Sequence, residues 1–190
     1  MNNHQAASIL SLHNRLLTLK LLPRTGWLQR GQVNPESVAE HSFGVATMAL
    51  FVGDQVPDID RGRLLSIALL HDMAEALFGD LPVGARRYFG IEAKHEAERL
   101  AMQELLSEVP NAAEYLELWD DYAARASREA RLVKQLDRLE MLAQAAAYER
   151  AGNRNMDEFW QDFDEGWSEE FPIIQELADE LRMQIIRRNV

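Results

Sequence analysis

Apolar positions recur at intervals of three and four along nearly the whole 190-residue chain. Residues 6–22 (AASILSLHNRLLTLKLL) carry one such stripe, which Pro23 and Gly26 interrupt. Asn34-Pro35 makes a turn, and Ser37 with Glu40 three positions on has the pattern of a capping box. The helix it opens is expected to run to about Gly53. Asp60 is expected to cap the next helix, which ends near Gly79. Similar stripes predict helices over 91–108, 111–124, 127–151, 156–165 and 172–188. No segment alternates apolar and polar with period two between hairpin turns, so strands have little support. Without an internal repeat or a long Pro/Gly/Ser-rich linker, the prediction is one all-α domain over residues 1–190.

Composition narrows the class. The chain is 47% apolar and 27% charged with only 10 Gly and 6 Pro, which excludes a disordered or low-complexity protein. It contains no Cys, so disulfide frameworks, thiol nucleophiles, zinc ribbons and iron–sulfur sites are excluded. No apolar run approaches the roughly 20 residues of a membrane span. The start, MNNHQAAS, lacks the basic-then-apolar order of a secretory signal. A cytoplasmic protein without a membrane partner is the expectation.

Charge bears on the ligand. Twenty Lys and Arg stand against 31 Asp and Glu, a formal net of −11. Such a surface repels nucleic-acid polymers, whose binding depends on neutralising phosphates with Lys and Arg. A small phosphorylated metabolite stays open, because a local Arg or a metal can reverse the field inside a cleft.

Five histidines occur, and two stand out. His71-Asp72 lies within the apolar run LLSIALLHDMAEALFGD, and on a helix His71, Asp72 and Glu75 fall within an arc of about 100°. Titratable groups in an apolar helix need compensation. It can come from a bond between the two neighbours or from a divalent cation, since imidazole with carboxylate suits Zn, Mn, Fe, Co or Ni. His41 heads a stripe of Val45, Met48 and Val52. Read alone, it is more often a satisfied core histidine. Asp137 interrupts an apolar row in RLVKQLDRLEML, and read alone it forms helix salt bridges with Arg131, Lys134 or Arg138.

Together these residues form an H…HD…D arrangement on three helices, which resembles the signature of the HD-domain metal-dependent phosphohydrolases. The words around it are more specific. PRTGW (23–27), PESVAEHS (35–42), ALLHDMAEALFGDLP (68–82) and LVKQLDRLEMLAQAAAYE (132–149) resemble the HD-domain 5′-deoxynucleotidases, in the branch called HD domain-containing protein 2. The resemblance covers about residues 15–165, and the tail from about 166 has no counterpart in it. It implies a helical HD domain that hydrolyses deoxyribonucleoside 5′-monophosphates, and it favours a homodimer.

The resemblance also assigns residues. His41, His71, Asp72 and Asp137 match the four metal ligands. The cofactor it implies is a divalent cation, with Mn, Co, Zn, Fe, Ni and Mg all open. Glu75 and Asp80 match acidic positions that act in catalysis beside Asp72, or help hold a second cation. Asp80, Leu81, Pro82 and Val83 match a segment that contacts the nucleotide. Arg24 matches an arginine that orients the phosphate. Trp27 resembles a tryptophan that packs on the sugar and disfavours a ribose 2′-OH, although the Arg–Trp spacing differs among branches.

Three other readings share these residues. Di-iron oxygenases of the same fold need further histidines between the His-Asp pair and the last Asp, where this chain has only His95. Hydrolysis of another small phosphorylated metabolite or signalling nucleotide is open to the same residues, but the local words fit the nucleotidases better. A non-catalytic helical metal-binding interaction module would also keep the ligands.

Overall fold

The computed structural model describes residues 3–186. Helix α1 (Asn3–Leu16) runs into a 3-10 turn at Leu17–Lys20, followed by the short α2 (Thr25–Gln29). Helices α3 (Val38–Gly53), α4 (Arg61–Leu70) and the single turn α5 (Glu75–Phe78) come next. A further turn, α6 (Arg86–Phe89), precedes α7 (Ile91–Leu106) and α8 (Ala112–Ala124). The long α9 (Arg128–Arg150), the short α10 (Asp157–Trp160) and α11 (Pro172–Ile186) complete the described chain. Among the described residues there is no strand, only an isolated bridge between Pro23 and Ser37. The expectation of an all-α protein is met.

Local chemistry sets the helix starts. Ser37 Oγ accepts from the Glu40 N–H at 3.2 Å, and Glu40 Oε2 accepts from the Ser37 N–H at 2.6 Å. This is the reciprocal capping box read from the sequence. Asp60 caps α4 through the Arg63 N–H at 3.0 Å, and Ser127 caps α9 through the Ala130 N–H at 3.1 Å. Helices α3, α4 and α9 then bury one another's apolar stripes. Val45, Ala49 and Val52 meet Leu64, Ile67 and Ala68, with Leu132, Val133 and Leu136 beneath. Phe171 and Ile174, from the approach to α11 and its first turn, close this core. A second cluster joins Leu70 and Ala74 to Met102, Leu105, Leu106 and Trp119 of α7 and α8.

One expectation is corrected. The helix opened by Asp60 does not continue to Gly79; it stops at Leu70 and re-forms at Glu75. The cause is local. The His71 Nδ1–H donates to the Ala68 carbonyl at 2.7 Å, taking an acceptor of the preceding turn. The following amides of Met73, Glu75, Ala76 and Leu77 bond back by three residues instead of four. Residues 156–165 also form less helix than expected, only Asp157–Trp160. The predicted end of the last helix, at 187–188, lies outside the described residues.

Candidate active site

The three-helix core ends in a cluster of polar side chains. His41 comes from the first turn of α3, His71 from just past α4, and Asp137 from midway along α9. His41 and His71 have fully buried side chains, and their Nε2 atoms stand 3.4 Å apart. Asp137 Oδ1 lies 3.1 Å from His41 Nε2. Asp72 Oδ2 lies 3.2 Å from His71 Nε2 and 3.7 Å from His41 Nε2. The four residues predicted from three separate segments therefore meet at one point.

Hydrogen bonds behind the ring nitrogens decide what that point can hold. His71 Nδ1–H is tied to the Ala68 carbonyl, and His41 Nδ1 bonds Glu140 Oε2 at 2.5 Å. Both Nε2 atoms are thereby turned inward. Burial opposes charge on His41, but its hydrogen bonds to Asp137 and Glu140 outweigh that and raise its pKa to about 10. Burial likewise opposes charge on Asp72 and Asp137. Their imidazole neighbours win, with Arg24 aiding Asp72 and Lys134 aiding Asp137, and both carboxylates stay well below the usual range. Two imidazoles and two ionised carboxylates are a donor set suited to a first-row divalent cation. The ligand atoms of His41, His71 and Asp137 lie within 4.8 Å of one another, so the residues fit such an ion.

His71, Asp72 and Asp137 form part of the wall of a cavity of about 290 Å³, with His41 buried behind them. Arg24 enters from the segment before α2, and its Nη1–H donates to Asp72 Oδ2 at 3.1 Å. Lys134 enters from α9 with Nζ 3.5 Å from the centre of the Tyr122 ring. Burial lowers Lys134 to about 8 against the pull of Asp137. Glu75, in the turn after the His-Asp pair, is buried, and its Oε2 has no hydrogen-bond partner. Burial, with Asp72 and Asp80 nearby, raises its pKa to about 9.

Asp80, Leu81 and Pro82 also line the cavity. Asp80 Oδ2 accepts the Thr25 N–H, and the Thr25 hydroxyl donates to the Asp80 carbonyl at 2.8 Å. These bonds lock the PRTGW segment onto the loop after α5. The Val83 side chain lies outside the described residues. Trp27 borders the cavity but is only 1% exposed. Its Nε1–H donates to Glu36 at 2.8 Å, and its ring packs on Tyr148 and Phe159.

Of the three cations that α9 offers to Asp137, neither arginine pairs with it, while Lys134 helps hold it ionised. Arg131 pairs with Glu170, and Arg138 reaches the carbonyls of Asp162 and Glu165. Asp137 instead accepts from Tyr122 Oη–H at 2.9 Å through its second oxygen.

The HD domain family model matches residues 16–180. The human 5′-deoxynucleotidase HDDC2 is 38% identical over 150 residues, 78% of this chain and 72% of that protein. The chain belongs to the HD domain family. Within it, the 5′-deoxynucleotidase hdd1 of Schizosaccharomyces pombe is 36% identical over 163 residues, 83% of this chain and 80% of that one. A conserved hypothetical protein from Pyrococcus furiosus superposes with TM-score 0.81 at 37% identity, covering 92% of this chain and 99% of that one. A predicted metal-dependent phosphohydrolase from Magnetospirillum magnetotacticum gives TM-score 0.72 at 27% identity, covering 97% and 94%. The family resemblance read from the four sequence words is thus met.

Several residues of this HD domain site are not among those predicted from the sequence. Tyr122 and Glu140 sit in ordinary amphipathic helices, and Lys134 reads only as one of three helix cations near Asp137. His95 reads as part of a solvated face, yet its ring stacks on Trp119 at 5.4 Å and both line the cavity. One signal existed for Glu140, a carboxylate one turn beyond Asp137 on the same face of α9.

Proposed function

We propose that this HD domain protein is a metal-dependent 5′-deoxynucleotidase that hydrolyses deoxyribonucleoside 5′-monophosphates to a deoxynucleoside and phosphate. One observation carries the reading: His41, His71, Asp72 and Asp137 converge beside the Arg24 guanidinium at a cavity that also holds a buried, unpartnered Glu75 oxygen. The names of the human and fission-yeast relatives support the substrate class.

In this reading His41, His71, Asp72 and Asp137 hold the cation. A divalent cation bound there supplies Lewis acidity toward a phosphoryl oxygen and makes water a usable nucleophile near neutral pH. Arg24 offers its planar fork to the phosphate, sharing it with Asp72, and so fixes the ester's orientation. Glu75 moves a proton at the oxygen that no protein group satisfies, toward the departing 5′-oxygen. Asp72 and Asp80 complete the acidic wall, and Glu75 with Asp80 offers carboxylates to a second cation. Asp80, Leu81, Pro82 and Val83 border the nucleotide, and Trp27 closes the sugar side with an apolar face that offers a 2′-OH no hydrogen bond.

The proposal extends to a cytoplasmic homodimer. Phe43 and Phe51 on α3 present large apolar side chains to solvent, which a second copy of the chain would cover. Among the described residues no helix is long and apolar enough to cross a membrane. Phosphate release from a panel of deoxy- and ribonucleoside monophosphates, with Mn²⁺, Co²⁺ or Mg²⁺ added, tests the reading. Preference for the deoxy series is expected. Metal-loaded protein that releases phosphate from none of them would overturn it, and turnover of another phosphorylated metabolite would shift the substrate class.

A further inference from the structure

The two imidazoles at the centre are backed unequally. His71 leans on a neutral backbone carbonyl, whereas His41 leans on the buried carboxylate of Glu140. We propose that Glu140 is a positioning residue for the metal centre, and that position 44 is glycine so that Glu140 can reach His41. The inference rests on His41 being a metal ligand, as proposed above.

Three observations support it. The 2.5 Å between His41 Nδ1 and Glu140 Oε2 is a direct contact, below the 2.7–2.9 Å usual for even a charge-assisted N–H···O bond. It is shorter than the spacing of two donors that share one ion at about 2.1 Å each. Glu140 therefore acts through His41 rather than as a ligand, although Glu36, His41 and Glu140 are close enough to suggest a second cluster. Next, Glu140 is only 8% exposed, so its charge needs a partner, and His41 supplies one.

Gly44 gives the third observation. Glycine weakens a helix interior, and this one lies inside α3 without the positive φ that would require glycine. What it provides is space. A Cβ at position 44 would stand 2.5 Å from Glu140 Oε1 and 3.0 Å from both Cδ and Cγ. His41 and Gly44 are one turn apart on α3, and Asp137 and Glu140 are one turn apart on α9. Each helix thus supplies one ligand and one supporting position, and the two pairs interlock. Glu140 fixes the His41 tautomer so that Nε2 faces the ion, and its charge makes that nitrogen a better donor.

The test uses the full chain as E140A, E140Q, G44A and the double variant G44A/E140A. Mn²⁺ affinity is measured by calorimetry, and melting is followed without metal. Expected is a loss of affinity of about 10–100-fold in E140A and in G44A, the usual cost of removing such a support. E140Q, which keeps an acceptor without the charge, should fall between wild type and E140A. The double variant should bind no more weakly than E140A, because the clash disappears with the carboxylate. Should G44A alone fail to fold, recovery of folding in the double variant supports the same contact. E140A binding as tightly as wild type would overturn the positioning role. Losses that multiply in the double variant would overturn the role of Gly44. Equal binding by wild type and H41A would overturn the inference together with the ligand assignment, and so identifies that case separately.

Discussion

Arg24 and Asp72 are joined at 3.1 Å although 48 positions separate them, and both side chains are mostly buried. The pair places a fixed positive charge beside the carboxylate of the His-Asp motif. Asp72 and the other acidic groups around it, Asp137, Asp80 and Glu75, hold Arg24 charged despite its burial. Arg24→Ala is expected to lower kcat/KM by about 10²-fold, the scale of a charge-assisted hydrogen bond. Arg24→Lys should recover little, because an ammonium cannot form the two parallel bonds. Metal affinity should hold or rise in both variants, since a neighbouring cation has been removed or moved. Steady-state kinetics with parallel metal titration checks this, and weakened metal binding would give Arg24 a purely structural role.

His71 and Asp72 follow the end of α4 and are held by the Ala68 carbonyl and Arg24, respectively. His71→Ala or Asp72→Ala should therefore abolish stoichiometric metal and activity while α3, α4 and α9 remain packed. Elemental analysis and circular dichroism of the purified variants are the measurements. Full metal occupancy in Asp72→Ala would remove that residue from the ligand set.

The helical architecture was legible because its signals are local. Ser37 and Glu40 announce a cap within four residues, and the apolar stripes of α3, α4 and α9 repeat with the helix. The break at His71 was hidden, because periodicity cannot register a side chain that takes a carbonyl from its own preceding turn. His71 and Asp72 were visible as titratable neighbours in an apolar run, whereas His41 and Asp137 joined them only through the resemblance to the HD-domain signature. Their supports were not visible. Tyr122, Glu140 and Gly44 act across helices, and each is an unremarked residue until α3, α8 and α9 are packed. Trp27 shows the same limit, since its indole N–H goes to Glu36, a partner that the chain order does not announce.

Asp121 ties the end of α8 to the cap of α9 and to α4. Its Oδ1 accepts the Ser127 N–H at 2.7 Å, and its Oδ2 accepts Ser127 Oγ–H at 2.6 Å and Arg63 Nη2–H at 2.5 Å. Burial pushes the Asp121 carboxyl up, but these bonds outweigh it and hold the group below its usual value. A carboxyl lowered on folding contributes stability above its unfolded value near 4, and loses it as pH falls through the folded value. Asp121→Asn should cost about 1.5–3 kcal/mol at pH 7, the range for hydrogen bonds to a charged group. The difference from wild type should shrink at acid pH. Urea unfolding at pH 7 and pH 3 measures it, and a constant difference would remove the charge from the account.

The overall charge of −11 also makes a prediction about partners. The positive groups at the cavity are few and stand among carboxylates, so they suit one small phosphate rather than a phosphodiester chain. Fluorescence anisotropy with single- and double-stranded DNA and RNA should show no binding at micromolar protein in physiological salt. Submicromolar, salt-sensitive affinity would overturn the small-substrate assignment.

Glu75 separates chemistry from metal assembly. It lies one short turn beyond the His-Asp pair, and its N–H bonds the Asp72 carbonyl at 3.1 Å, so its backbone is fixed independently of its carboxyl. One oxygen of that carboxyl is buried without a partner, at a cavity shared with Arg24 and Asp80. A buried polar atom without a bond is costly, and a site that keeps one has a use for it. Glu75→Gln preserves the shape and removes the titratable carboxyl proton. If Glu75 moves a proton during ester cleavage, the variant keeps its metal and its fold while turnover drops by about 10²–10⁴, the usual contribution of a general acid or base. A kcat within a few-fold of wild type, with unchanged metal content, would remove Glu75 from the mechanism. Loss of metal together with turnover would make it a ligand. The first outcome is expected, because burial beside Asp72 and Asp80 raises the pKa of the Glu75 carboxyl to about 9 and so keeps on it a proton to give.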